Sequence, residues 1–146
     1  MPSMMRRNLL AAMTLATLAA AAPVLAQTAS RSAKIQAVLQ VSDSDPQKWG
    51  LALNNVRNVQ MDLGEDAVQL EIVVYGPGIG MLKAGSPMAE RVSAALRSGV
   101  KVVACENTMK AMKLVYADML PDIGYVPAGV VELINRQREG YAYIRP

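Results

Sequence analysis

Two rhythms of apolar residues alternate along the chain from residue 34 onward. Lys34 to Val41 carries Ile35, Val38, Leu39 and Val41 in a short run that predicts a first strand. After Ser42-Asp43-Ser44-Asp45-Pro46, Trp49, Leu53, Val56, Val59 or Gln60, and Leu63 recur three or four apart, which predicts an amphipathic helix. The aspartates and Pro46 are start signals for it, and Gly64 is its stop. Ala67 to Tyr75 alternates at Val68, Leu70 and Ile72 and then runs continuously apolar, the pattern of a strand covered on both faces. Gly76-Pro77-Gly78-Ile79-Gly80 breaks the chain, and Pro87 to Ser98 resumes the helical spacing through Met88, Val92, Ala95 and Leu96. Val100 to Ala104 is a third strand, Thr108 to Val115 a third helix and Ile123 to Val126 a short fourth strand. Pro127 and Ala128 open a fourth helix through Arg138, expected to pack by Val130, Val131, Leu133 and Ile134. Gly140 stops it, and Tyr141 to Ile144 is a fifth strand. Strict alternation of strand and helix predicts an α/β fold, a mostly parallel five-stranded sheet with helices on both faces. The pattern leaves the order of the strands open.

The first 26 residues follow another logic. Arg6 and Arg7 precede an apolar run from Leu9 to Ala22, and Val24-Leu25-Ala26 fits a cleavage site. The run is shorter than the roughly 20 residues of a membrane span, so a signal sequence is expected, with cleavage after Ala26 and no stable membrane insertion. Both the general and the twin-arginine export routes fit Arg6-Arg7. The expected destination is the periplasm. Residues 27–33 are small and polar and read as a disordered leader, ahead of one domain over 34–146. Cleavage leaves 120 of the 146 residues. The 15 Lys and Arg become 13 against 12 Asp and Glu, so the formal net charge falls from +3 to +1. With no basic run left, nothing points to nucleic acid.

Cys105 is the only cysteine, so no intramolecular disulfide can form. Histidine is absent, which excludes a Ser-His-Asp triad and removes the commonest metal ligand; no metal or cofactor is expected. Phenylalanine is absent too, so the core is aliphatic, and an exposed Tyr75, Tyr125, Tyr141 or Tyr143 marks an assembly face or is ordinary packing and isolated exposure. Cys105 sits where the third strand hands over to a helix. Open α/β sheets hold ligands and catalytic groups beyond the carboxyl ends of their strands, and a helix N-terminus there favours a thiolate. Ser42 and Asp43, Tyr75 and Gly76, and Asn107 end the neighbouring segments and are the candidate substrate-binding residues around Cys105. Lys110 and Lys113 would lower the thiol pKa and Glu106 would raise it, but a solvated helix face is the simpler account of both lysines. Met109 and Met112 share a helical spacing that serves either a soft metal site or core packing. Asp43 and Asp45 are general-base candidates or helix caps. The Gly76–Gly80 run lacks the G-x-G-x-x-G spacing of a dinucleotide site and reads as a loop.

Several stretches in this order resemble one family. They are Val41-Ser42-Asp43-Ser44-Asp45-Pro46 with Trp49, Leu53-Asn54-Asn55-Val56-Arg57-Asn58, Val73-Val74-Tyr75-Gly76-Pro77-Gly78, Gly99 to Cys105 with Asn107-Thr108-Met109, and Val126-Pro127-Ala128-Gly129-Val130-Val131-Glu132-Leu133. Over about Lys34 to Pro146 the chain resembles the DsrE/DsrF-like sulfur-relay proteins, in an exported subgroup. The resemblance implies a three-layer α/β/α sandwich, assembly into trimers or hexamers, and a cysteine after a central strand that receives sulfane sulfur as a persulfide. Cys105 matches that position. Two functions therefore stand side by side. One is a periplasmic sulfur carrier or sulfurtransferase with a thiol or persulfide protein partner. The other is a non-enzymatic homo-oligomeric binding or scaffold module in which Cys105 is a buried structural residue.

Overall fold

The computed structural model describes residues 33–146. The expected signal sequence 1–26 lies outside the described residues, as does the 27–33 segment except Ala33. Five strands, β1 (Ile35–Val41), β2 (Val68–Val74), β3 (Lys101–Cys105), β4 (Gly124–Val126) and β5 (Ala142–Ile144), form one sheet in the order β4-β3-β2-β1-β5. Every pairing is parallel. Four helices connect them: α1 (Pro46–Leu63), α2 (Ala89–Arg97), α3 (Glu106–Ala111) and α4 (Gly129–Arg138).

Handedness decides the layers. From β1 to β4 the chain steps across the sheet in one direction, so right-handed connections keep α1 and α2 on one face. The last step runs back from one edge to the other, which sends α4 to the opposite face. The core divides accordingly. Leu39, Ile72, Val74, Val102 and Ala104 pack with Trp49, Leu53, Val56 and Val92 on one side, and Val38, Val73, Val103 and Val126 pack with Leu133 and Tyr141 on the other.

Helix α1 starts as its sequence dictates. Asp45 accepts a hydrogen bond from Gln47 N–H at 2.8 Å, and Pro46 fills the first turn. Helix α2 begins at Ala89, two residues later than the spacing suggests, because Ser86-Pro87-Met88 turn first. Helix α3 is shorter and earlier than expected: it starts directly after Cys105, and Lys113, at φ +57°, ends it. The glycine loop is a seven-residue 3-10 segment, Gly76–Leu82. A Cβ on Gly78 would lie 2.5 Å from the Val41 carbonyl oxygen, so only glycine lets this segment close over the end of β1.

Helix α4 differs most from expectation. Leu133 is buried, but Val130, Val131 and Ile134 are 52, 53 and 50 % exposed. The inward stripe is instead buried Gly129 and Leu133 with half-buried Arg136, at i, i+4 and i+7, and it matches three rungs of the sheet. Gly129 lies over Tyr75, Leu133 over the Val38-Val73-Val103 row, and Arg136 over Glu71. A polar rung at the far end replaces an apolar one, so hydropathy alone misassigns the inner face.

Candidate functional site

The connections after β1, β2 and β3 lead to one face and the connection after β4 leads to the other, so the crevice of this sheet opens between β3 and β4. Cys105 and Val126 are register partners across it. Side chains alternate along β3: Ala104 packs with α1 and α2, and Val103 with α4. Cys105 therefore follows Val103 to the α4 side, beneath the first residue of that helix.

The thiol is 5 % exposed. Burial alone pushes it up. The Thr108 hydroxyl and then the N–H groups of Gly129, Thr108 and Asn107 favour the ionised sulfur, and together they hold Cys105 below the ordinary cysteine value. The Thr108 oxygen accepts a hydrogen bond from Gly76 N–H at 2.9 Å, which leaves its own proton free for the sulfur. The Cys105 side chain makes no capping hydrogen bond to α3. Asn107 N–H also reaches the Pro127 carbonyl at 3.2 Å and ties the start of α3 to the turn before α4.

Three of the sequence candidates meet here. Tyr75 packs under Gly129, where a Cβ would lie 3.0 Å from its Cβ and Cδ1. Gly76 reaches Thr108, and Asn107 adjoins the sulfur. Ser42 and Asp43 end β1, two strands from β3 and so about 10 Å away by strand spacing. Ser42 Oγ accepts from the Gln40 amide at 2.9 Å, and Asp43 pairs with Lys48 at 3.2 Å while its carbonyl accepts from the Trp49 indole at 2.7 Å. Their partners belong to β1 and α1 rather than to the thiol. Lys110 and Lys113 are exposed, and neither is among the leading influences on Cys105. Met109 is in the core and Met112 is exposed, so they do not form a pair.

Thr108 and Gly129 are the site residues that the sequence did not single out. Thr108 was legible as a first-turn hydroxyl three residues past the cysteine. Gly129 was not, because it reaches Cys105 only once β4 is known to lie beside β3. A shallow groove of about 210 Å³ adjoins the site, lined by Glu106, Met109, Lys110, Leu114, Val115 and Tyr116.

The fold has counterparts among known proteins. The model of the DsrE/DsrF-like family matches residues 12–146. The chain belongs to the DsrE/DsrF-like family. A protein of unknown function, MTH1491, from Methanobacterium thermoautotrophicum shares 34 % identity at a TM-score of 0.74, over 77 % of this chain and 100 % of that one. The ychN protein from E. coli, at 12 % identity, has a TM-score of 0.62 over 78 % of this chain and 99 % of its own, a likeness of fold. No curated protein matches the chain. DsrE-like membership associates the chain, in general terms, with sulfur-relay proteins. Among the described residues of this DsrE-like chain, the strand-end thiol of Cys105 is the nucleophile that sulfur chemistry could use.

Proposed function

We propose that this DsrE-like protein is an exported, periplasmic sulfur carrier that holds sulfane sulfur as a persulfide on Cys105. The observation that carries the reading is the buried thiol at the β3–β4 crevice, at the start of α3 and beneath the start of α4, where the Thr108 hydroxyl and nearby N–H groups outweigh burial and hold its pKa below the ordinary cysteine value. In the loading step the Cys105 thiolate attacks the outer sulfur of a donor persulfide. An S–S bond forms to Cys105, the donor's own S–S bond breaks, and the donor leaves as a thiolate. No outside oxidant is needed, since the oxidation state moves with the sulfur. Unloading is the same step with an acceptor thiolate attacking and Cys105 leaving, and a lowered thiol pKa makes Cys105 a good leaving group. Tyr75, Gly76 and Asn107 frame the sulfur, and thiol or persulfide proteins are the partners. Intact mass is measured on protein purified without reductant, before and after a persulfide donor. The expected result is a reductant-sensitive gain of one sulfur atom, lost in Cys105→Ser. Unchanged loading in that variant sinks the reading.

The 5 % exposure of Cys105 favours a second reading, a homo-oligomeric binding or scaffold module with a structural cysteine. Its signature is a thiol that alkylates only after denaturation and never gains sulfur. Under either reading the chain assembles as a trimer or hexamer. The outer stripe of Val130, Val131 and Ile134 supports assembly, since contiguous exposed apolar side chains mark contact faces. Light scattering of the purified protein gives the mass that tests it.

A further inference from the structure

Beneath the carboxyl half of α4 lies a group that sulfur chemistry does not use. Glu71, on β2, is 2 % exposed. Its Oε2 lies in ion-pair contact with Arg136 Nε at 2.6 Å, and Lys101 Nζ on β3 stands 3.5 Å from its Oε1; neither Oε1 nor Arg136 Nε makes a hydrogen bond, so charge attraction is what joins them. Arg136 also holds Glu132 at 3.0 Å and Glu139 at 2.7 Å, and its guanidinium lies 5.3 Å from the centre of the Tyr141 ring. A buried carboxylate in a sheet is costly and calls for a reason. The reason lies in how little else fixes α4. Among its ten residues only Gly129 and Leu133 are buried, so Leu133 is its single large apolar anchor. One anchor leaves a helix free to pivot. The second point of attachment is Arg136 on Glu71, two turns from Gly129 and about 10 Å along the axis.

We propose that Glu71 is a positioning residue: by pinning Arg136 it fixes the pitch of α4 and so holds Gly129 over Tyr75, on the rung beside Cys105. The inference goes beyond the carrier reading and needs only the thiol. The rungs share one face of the sheet, with Glu71, Val73 and Tyr75 on β2 and Lys101, Val103 and Cys105 on β3. A tilt about Leu133 that lifts Arg136 moves Gly129 as well. The groups facing Glu71 are Lys101, Glu132, Arg136 and Tyr141, with Glu139 paired to Arg136 from the outside, and the charged neighbour of Cys105 in the chain is Glu106 at the start of α3.

The test is the ultraviolet absorbance of the thiolate followed against pH in the full protein, with Cys105→Ser as blank. In Glu71→Gln the midpoint is expected to rise, cutting the thiolate fraction below it at least about threefold, half a pH unit or more. The direction discriminates, because removing a negative charge by its field alone lowers a thiol midpoint. Leu53→Ala, which opens a cavity under α1, is the control: it costs stability and is expected to leave the midpoint in place. Arg136→Lys keeps the charge, is gentler on the fold, and carries the same expectation of a rise because it loses the Nε contact. An unmoved or lowered midpoint in a folded Glu71→Gln, or in Arg136→Lys if the former does not fold, overturns the proposal. Sulfur loading is measured separately, so a failed carrier reading does not touch this result.

Discussion

Replacing Thr108 with valine removes one oxygen and keeps the shape, so it isolates the strongest of the bonds that favour ionised Cys105. A hydrogen bond to a charged group contributes about 1.5–3 kcal/mol. At roughly 1.4 kcal/mol per pH unit, the thiol midpoint is expected to rise by about one to two units. Below the midpoint the thiolate fraction then falls about ten- to a hundredfold, and alkylation and sulfur loading slow with it. Burial is unchanged, so the whole effect belongs to the lost donor. A second cost accompanies it: Gly76 N–H loses its 2.9 Å acceptor. That group is half-buried and partly reached by water, so the loss of stability is expected near the low end of the range, about 1 kcal/mol. Thr108→Ser keeps the hydroxyl and is expected to titrate near wild type. The assay is thiolate absorbance against pH, paired with urea unfolding. A folded Thr108→Val protein with an unmoved midpoint refutes the assignment of Thr108 as the principal donor.

Other outcomes follow from the same geometry. Because the thiol is lowered in the folded state, its ionisation stabilises the fold: the excess stability of wild type over Cys105→Ser is fully present above the 9.0 of an unfolded cysteine and disappears as pH falls through the lower folded midpoint, which urea unfolding across that window checks. Leu133→Ala removes the one large apolar anchor of α4 and is expected to cost about 2–5 kcal/mol in denaturant unfolding, against little change for Val131→Ala on the outer face. Val131→Glu is expected to leave the fold intact by circular dichroism and to reduce the mass seen by light scattering; an unchanged mass removes that stripe from the assembly face. Gly78→Ala forces a methyl to 2.5 Å from the Val41 carbonyl oxygen and is expected to lower the melting temperature, with a wild-type value arguing against the tight crossing there.

The sequence carried the alternation of strand and helix because buried parallel strands and amphipathic helices leave different spacings. It also placed Cys105 at a strand end, where a run of valines meets polar residues. Strand order was out of reach: nothing local distinguishes a step to the neighbouring strand from a return across the sheet. That gap is why Gly129 was not seen as part of the site and why Ser42 and Asp43 were grouped with a thiol two strands away. The inner face of α4 was misread for a different reason. Val130, Val131 and Ile134 outnumber Leu133 in any hydropathy count, yet a buried glutamate on β2 calls for an arginine on the inside. Glu71 itself was the overlooked signal, a charge in the middle of an apolar strand.

The brevity of β4 has a kinetic consequence. It is three residues long, pairs on one side only, and covers Cys105 from the edge of the sheet. Short edge segments open at far lower free energy than the centre of a sheet. A reagent therefore reaches this thiol at its intrinsic rate multiplied by the fraction of time the edge stands open. Reactivity becomes a local-stability quantity: a partner that frays β4 would accelerate exchange at Cys105 without touching the sulfur, and a ligand that clamps β4 would silence it.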